Sequence, residues 1–143
     1  MVDPDVDRLA FIDEKGAMFG EEYTLGLVAD YLLSLTPGHV VSNMSSSKAL
    51  RDLAESKGST YSPSAVGEVN VVNEMKAKHA VLGGEGNGGI IVPELHYGRD
   101  ALVGIALALT HLAKSGKTMR ELRAGYPQYY MAKQKIECPP GLD

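Results

Sequence analysis

Apolar positions along the chain fall into two repeating patterns. Short continuous apolar runs occur at residues 9–12, 39–42, 80–82 and 90–92, each bounded by charged residues, proline or glycine. Such runs suit buried strands, and residues 59–61 form a weaker one. Between them lie stretches with helical spacing. Residues 21–35 carry Leu25, Val28, Ala29, Leu32 and Leu33 on one stripe, with Glu21 and Glu22 in the first turn, where they complement the helix dipole. Pro37-Gly38 stops that helix. Residues 48–57 repeat the pattern with Ala49, Leu50, Leu53 and Ala54, preceded by three capping hydroxyls at Ser45–Ser47 and closed by Gly58. Further helices are expected at 66–78, from Arg99 or Asp100 to 114, and at 118–124.

Strands that alternate with helices predict parallel pairs joined by right-handed crossovers. Residues 80–82 and 90–92 are the exception, because the glycine-dense segment 83–89 between them is too short for a crossover. Those two runs must pair antiparallel. The expected fold is α/β: a three-layer α/β/α sandwich around a mixed, mostly parallel sheet of about four strands with one antiparallel hairpin strand. Residues 126–143 read as a linker leaving that domain, and the first eight residues read as cut from something larger.

Composition narrows the partners. Lys plus Arg number 14 and Asp plus Glu 18, a net charge of −4, which argues against a nucleic-acid partner needing a basic face. No apolar run reaches the roughly eighteen residues of a membrane span, and the start lacks the pattern of a signal peptide. The single cysteine, Cys138, excludes an internal disulfide and a cysteine-based zinc site. A cytoplasmic location is expected.

Two features carry candidate chemistry. Asp3, Asp5 and Asp7 place carboxylates at alternate positions in one turn, a hard oxygen set suited to Mg²⁺ or Ca²⁺. A solvated acidic turn explains them equally well. An EF-hand is excluded because Arg8 occupies the position that requires glycine. A haloacid-dehalogenase arrangement fails too, since the strand follows the acids instead of preceding them. The second feature is Gly83–Gly89. Gly84, Gly86 and Gly89 satisfy G-x-G-x-x-G, but a strand follows where a dinucleotide site needs a helix. The segment has more glycines than a hairpin needs. A backbone open to close ligand approach, with Glu85 and Asn87 hydrogen-bonding sugar hydroxyls, is favoured over a flexible tip. His39, His79, His96 and His111 show no metal spacing. Tyr129 and Tyr130 are expected to pack the tail against a neighbour.

Together, Asp3–Arg8, Val66-Gly67-Glu68, Gly84–Gly88 and Glu94–Asp100, in this order and separation, resemble the α-D-phosphohexomutase superfamily, in its phosphomannomutase/phosphoglucomutase branch. The resemblance implies that residues 1–8 are the metal loop closing a preceding domain, 9–125 the third, sugar-recognition domain, and 126–143 the link to a fourth. It implies Asp3, Asp5 and Asp7 as Mg²⁺ ligands and Arg8 beside the transferring phosphate. It implies Glu85, Asn87 and Gly67 as substrate-binding positions. Asn87 stands where many members carry serine, and Gly89 where many carry histidine. The implied reaction interconverts hexose 1-phosphate and 6-phosphate through a phosphoserine and a hexose 1,6-bisphosphate intermediate. The implied partners are a hexose phosphate and the parent's other domains. No phosphoserine loop or phosphate clamp is present in this sequence, so the chain alone is expected to be inactive. A freestanding carbohydrate- or metal-binding module and a structural interaction domain are the rival expectations.

Overall fold

The computed structural model describes residues 1–132 and 134. In chain order its elements are α1 (Glu21–Leu35), β1 (His39–Asn43), α2 (Ala49–Ser56), β2 (Thr60–Ser64), α3 (Glu68–Lys78), β3 (Leu82–Gly84), β4 (Ile90–Ile91), α4 (Ala101–Ser115) and α5 (Met119–Ala124). The strands form one sheet in the order β2-β1-β3-β4. β1 pairs parallel with both β2 and β3, and β3 pairs antiparallel with β4 through Gly83–Ile91 and Gly84–Ile90. The open mixed sheet and its flanking helices make the α/β/α sandwich that strand–helix alternation predicts.

Side-chain alternation along the strands divides the core. Val40, Leu82 and Ile90 face α1, α2 and α4, meeting Leu25, Val28, Leu33, Leu50 and Ala101. Val41 and Ile91 point the other way, onto Val71 and Met75 of α3. Both faces of the parallel pairs are covered, which is why the strand runs are apolar without interruption. Burying each such side chain contributes about 1.5–3 kcal/mol. A smaller cluster of Phe19, Tyr23, Leu27, Ala108 and Leu122 fixes α5 against α1 and α4. No helix among the described residues is long and apolar enough to cross a membrane.

Several expectations need correction. Residues 9–12 are not a strand of the sheet: Leu9 is buried in the core, but the segment pairs only through isolated bridges, Val2–Leu9, Arg8–Gly89 and Ile12–Met18. Of its four residues only Leu9 is fully buried, and Ile12 is 44% exposed. The strand expected at 80–82 is shifted into the glycines, and α3 begins two residues late because Gly67, at φ 113°, stands outside helical space as its N-cap. Lys48 occupies the N-cap of α2 with no side-chain hydrogen bond. Only Ser47 of the three serines reaches a helix amide, Ala49, at 3.2 Å. By contrast Asp100 caps α4 as the sequence indicates, accepting from Leu102 and Val103. Cys138 lies outside the described residues, as does most of the expected linker. The linker's described start is strapped to α1: the Tyr23 hydroxyl donates to Pro127 O at 2.9 Å and accepts from Tyr129 N at 3.0 Å. Tyr129 packs as expected, whereas Tyr130 is 91% exposed.

Candidate cation and sugar site

The acidic entry turn is ordered by its own side chains. Asp3 Oδ1 accepts from the amides of Asp7 and Arg8 at 3.2 and 3.1 Å, and Oδ2 accepts from Arg8 Nε at 2.7 Å. Burial pushes the Asp3 carboxyl up, but the backbone and side-chain hydrogen bonds from Arg8 outweigh it and hold Asp3 well below the usual carboxylate range. Val6, at the turn's apex, has φ 58°, a conformation unfavourable for a β-branched residue. Its carbonyl accepts from Ala101 N at 3.1 Å, so the first amide of α4 clamps the turn.

One carboxylate oxygen from each of Asp3, Asp5 and Asp7 lies within 4.8 Å of the others, and this is the one such acidic or histidine group among the described residues. Asp7 Oδ1 is buried without a hydrogen bond, and the Arg8 Nε at 3.5 Å is too distant to supply one. Burial and the negative charges of Asp5 and Asp3 push the Asp7 carboxyl above its usual range, against the pull of Arg99. Clustered hard oxygens, one of them unpartnered, fit a divalent cation.

The hairpin tip lies directly against this turn. Leu9 donates its amide to Gly88 O at 3.0 Å, and Arg8 bridges to Gly89. The tip is closed by Glu85 N to Gly89 O at 3.0 Å and by Gly89 N to Asn87 Oδ1 at 3.1 Å. Its glycines make room for the chain itself. A Cβ on Gly88 would stand 2.2 Å from Leu9 O, and one on Gly89 2.5 Å from Arg99 Cδ. Asn87, Asp3, Arg8 and Glu21 line a cavity of about 320 Å³ between turn and tip.

Glu85 is only 4% exposed. Oε1 accepts from Asn43 Nδ2 at 2.7 Å and Oε2 from Arg99 Nη1 at 2.8 Å. Asn43 is itself oriented by the Ser45 and Ser46 hydroxyls, each donating to Oδ1 at 2.9 Å. The serines expected as helix caps thus set the orientation of a site residue. Arg99 also pairs with Asp7 Oδ2 through Nη2 and lies 3.4 Å from Glu68 Oε2, while its amide donates to Glu68 Oε1 at 3.0 Å. Glu68 follows Gly67, so the junction at Gly67 is tied to the site through Arg99.

The structure therefore gathers Asp3, Asp5, Asp7, Arg8, Glu85 and Asn87 at one place, with Gly67 at its border. Sequence reasoning missed Arg99 and Asn43. Arg99 lies 92 residues from Asp7 and 14 from Glu85, separations that no periodicity marks. The available signal was the surplus of acids at the site, which demands a buried cation. The histidines are dispersed: His39 between Thr60 and Ser62, His96 on Asp100, His111 on Asp30.

Residues 20–130 match phosphoglucomutase/phosphomannomutase, alpha/beta/alpha domain III. The fold and this match define the class, an α/β/α domain of the phosphoglucomutase/phosphomannomutase domain III type. The chain belongs to the phosphoglucomutase/phosphomannomutase family. It is 37% identical over 134 residues to a phosphoglucomutase/phosphomannomutase of Thermococcus kodakarensis, covering 93% of this chain and 29% of that protein. It is 30% identical to a phosphoglucosamine mutase of Acidovorax sp. (strain JS42), covering 99% of this chain and 32% of the other. Among solved structures, a phosphoglucomutase/phosphomannomutase family protein from Burkholderia thailandensis superposes with a TM-score of 0.78 at 26% identity, over 89% of this chain and 28% of that one. The chain thus spans about three tenths of the length of the curated relatives it matches.

Proposed function

We propose that the chain supplies the cation turn and the sugar-recognition domain of a Mg²⁺-dependent phosphohexomutase interconverting hexose 1-phosphate and 6-phosphate. The phosphoserine nucleophile and the phosphate clamp belong to other parts of that parent. The observation carrying this reading is the Arg8–Gly89 bridge with the Leu9–Gly88 hydrogen bond, which sets three clustered carboxylates against a carboxylate-bearing tip in a domain of this family.

Asp3, Asp5 and Asp7 would hold the Mg²⁺, which neutralises charge on a transferring phosphoryl group. Arg8, whose side chain is half exposed, keeps Nη donors free to face a phosphate while Nε holds Asp3. Glu85 and Asn87 supply acceptors for sugar hydroxyls. Asn43 leaves Glu85 Oε1 a second lone pair for this purpose, while Oε2 accepts from both Arg99 Nη1 and, at 3.5 Å, Asn87 Nδ2. A bisphosphorylated hexose must turn over between two transfers, and equatorial hydroxyls offer this acceptor set similar hydrogen bonds in both orientations.

In the longer parent, Glu85→Ala is expected to lower kcat/KM for hexose-phosphate isomerisation by about 100-fold or more, the loss typical of a transition-state hydrogen-bonding group. Unchanged turnover would refute the recognition role. The 143-residue chain alone is expected to show no turnover in a coupled assay, and measurable isomerisation would overturn its dependence on other domains.

A further inference from the structure

Arg99 sits on neither loop of the site, yet its guanidinium touches both. Nη2 pairs with Asp7 Oδ2 in the cation turn, Nη1 with Glu85 Oε2 in the tip, and Nε lies 3.4 Å from Glu68 Oε2 at the start of α3. The arginine is itself immobilised. Its amide donates to Glu68, the next residue donates to Ile90 O at 2.8 Å, and its side-chain stem fills the space beside Gly89. Only 20% of the side chain is exposed.

We infer that Arg99 is a positioning residue that locks the cation turn and the sugar-facing tip in register, leaving Asp7 Oδ1 free for the metal. What the two loops bind rests on the function proposed above; the locking itself rests on the contacts of Arg99. Three carboxylates converge on one guanidinium, so its removal would leave Asp7, Glu85 and Glu68 to repel one another. The planar fork is required, because two of its nitrogens serve different loops at once and a lysine ammonium cannot span both at that geometry. A partner that holds one oxygen of a metal-binding carboxylate orients the other, and losing such a partner typically costs 10–100-fold in metal affinity. This predicts a counterintuitive sign. Deleting a positive charge beside the metal site weakens metal binding.

The test uses the ¹⁵N-labelled 143-residue chain, wild type beside Arg99→Gln and Arg99→Lys, with and without MgCl₂. Without Mg²⁺, Arg99→Gln is expected to unfold thermally below the wild type, because it leaves the buried Glu85 carboxylate without its cation, and Arg99→Lys less so. In both, the amides of residues 3–9 and 85–89 are expected to move and exchange faster. With Mg²⁺, the wild type is expected to show shifts in both segments. The variants are expected to bind about tenfold more weakly, with shifts confined to the turn. Should Arg99→Gln not fold, Arg99→Lys carries the same comparison. Unmoved amides in both segments of the metal-free variants would overturn the inference. So would Mg²⁺ binding to Arg99→Gln as tightly as, or more tightly than, to wild type. A wild type whose turn ignores Mg²⁺ would refute the cation assignment instead, and the metal-free comparison would then decide the locking role alone.

Discussion

Gly88 receives the Leu9 amide on its carbonyl at 3.0 Å while its own α-carbon lies so close to Leu9 that no side chain fits between them. Gly88 also adopts φ +89°, which L side chains rarely tolerate. Gly88→Ala is therefore expected to cost about 1–3 kcal/mol from backbone strain, and the Cβ clash adds to this by forcing Leu9 away. The urea midpoint should fall with an unchanged slope. An alanine variant as stable as the wild type would show that the turn and tip are not held together as described.

Asp30 anchors the chain after α5 to α1. It accepts from Tyr126 Oη at 2.8 Å and pairs with Lys57 Nζ at 2.6 Å and His111 Nε2 at 3.1 Å. Burial pushes the Asp30 carboxyl up, but the bonds from Lys57 and Tyr126 prevail and hold it below 3.8. A carboxylate whose folded pKa is depressed stabilises above its unfolded value and loses that contribution as pH falls through the folded one. Burial keeps the Tyr126 hydroxyl protonated far above its ordinary range, so it donates throughout. Tyr126→Phe is expected to destabilise by about 1.5 kcal/mol at pH 7, the lower end for a hydrogen bond to a charged group. The gap between variant and wild type should close below the pH where Asp30 protonates. A gap constant from pH 7 to pH 2 would contradict the assignment.

The legible parts of this fold were those set by local periodicity and capping. The stripe Leu25-Val28-Ala29-Leu32 and the Asp100 cap fix α1 and α4 without reference to anything distant. The hairpin was legible because seven residues cannot hold a crossover. Residues 9–12 misled because an apolar run reports burial, not strand pairing, and Leu9 buries itself while bonding to a glycine tip. The acids and Asn87 stood out as residue types. Their organiser, Arg99, did not, because a buried ion pair depends on tertiary proximity that sequence spacing leaves unmarked. The glycines of the tip were read as space for a ligand, and the structure fills that space with Leu9 and Arg99.

His39 links β1 to the edge strand β2. Its Nδ1 lies 2.7 Å from Thr60 Oγ1 and its Nε2 2.7 Å from Ser62 Oγ, and Ser62 in turn donates to Glu74 at 2.9 Å. Burial, together with the positive charge of Lys78, lowers its pKa below 6.5 despite Glu74. Folding thus favours the neutral ring, and the unfolded chain takes up the proton first as pH falls. The contribution is full above the unfolded value and is lost as pH drops below it. The thermal midpoint of the wild type should decline between pH 7 and pH 5 more steeply than that of His39→Gln. Parallel curves would remove His39 from the pH response.

Mg²⁺ should stabilise the chain, weakly and specifically. Asp5 is exposed and free of arginine contacts, and Arg99 holds Asp7 by Oδ2 and leaves Oδ1 open, but Arg8 occupies Asp3, so the cation must compete with Arg8 for one of its three carboxylates. That competition sets an affinity on the order of millimolar, at the weak end for oxygen-ligand cation sites. A ligand that binds only the folded state at a concentration equal to its Kd adds RT ln 2, about 0.4 kcal/mol, and at 100 times Kd about 2.7 kcal/mol. Millimolar MgCl₂ should therefore raise the thermal midpoint by a degree or two, continuing upward with concentration. Sodium chloride at matched ionic strength screens the same carboxylates without bridging them and should give less. Asp5→Asn should abolish the difference between the two salts, because one ligand and one charge are lost together. Equal stabilisation by both salts would mark the turn as a solvated acidic surface, and micromolar affinity by calorimetry would show that Arg8 does not compete for Asp3.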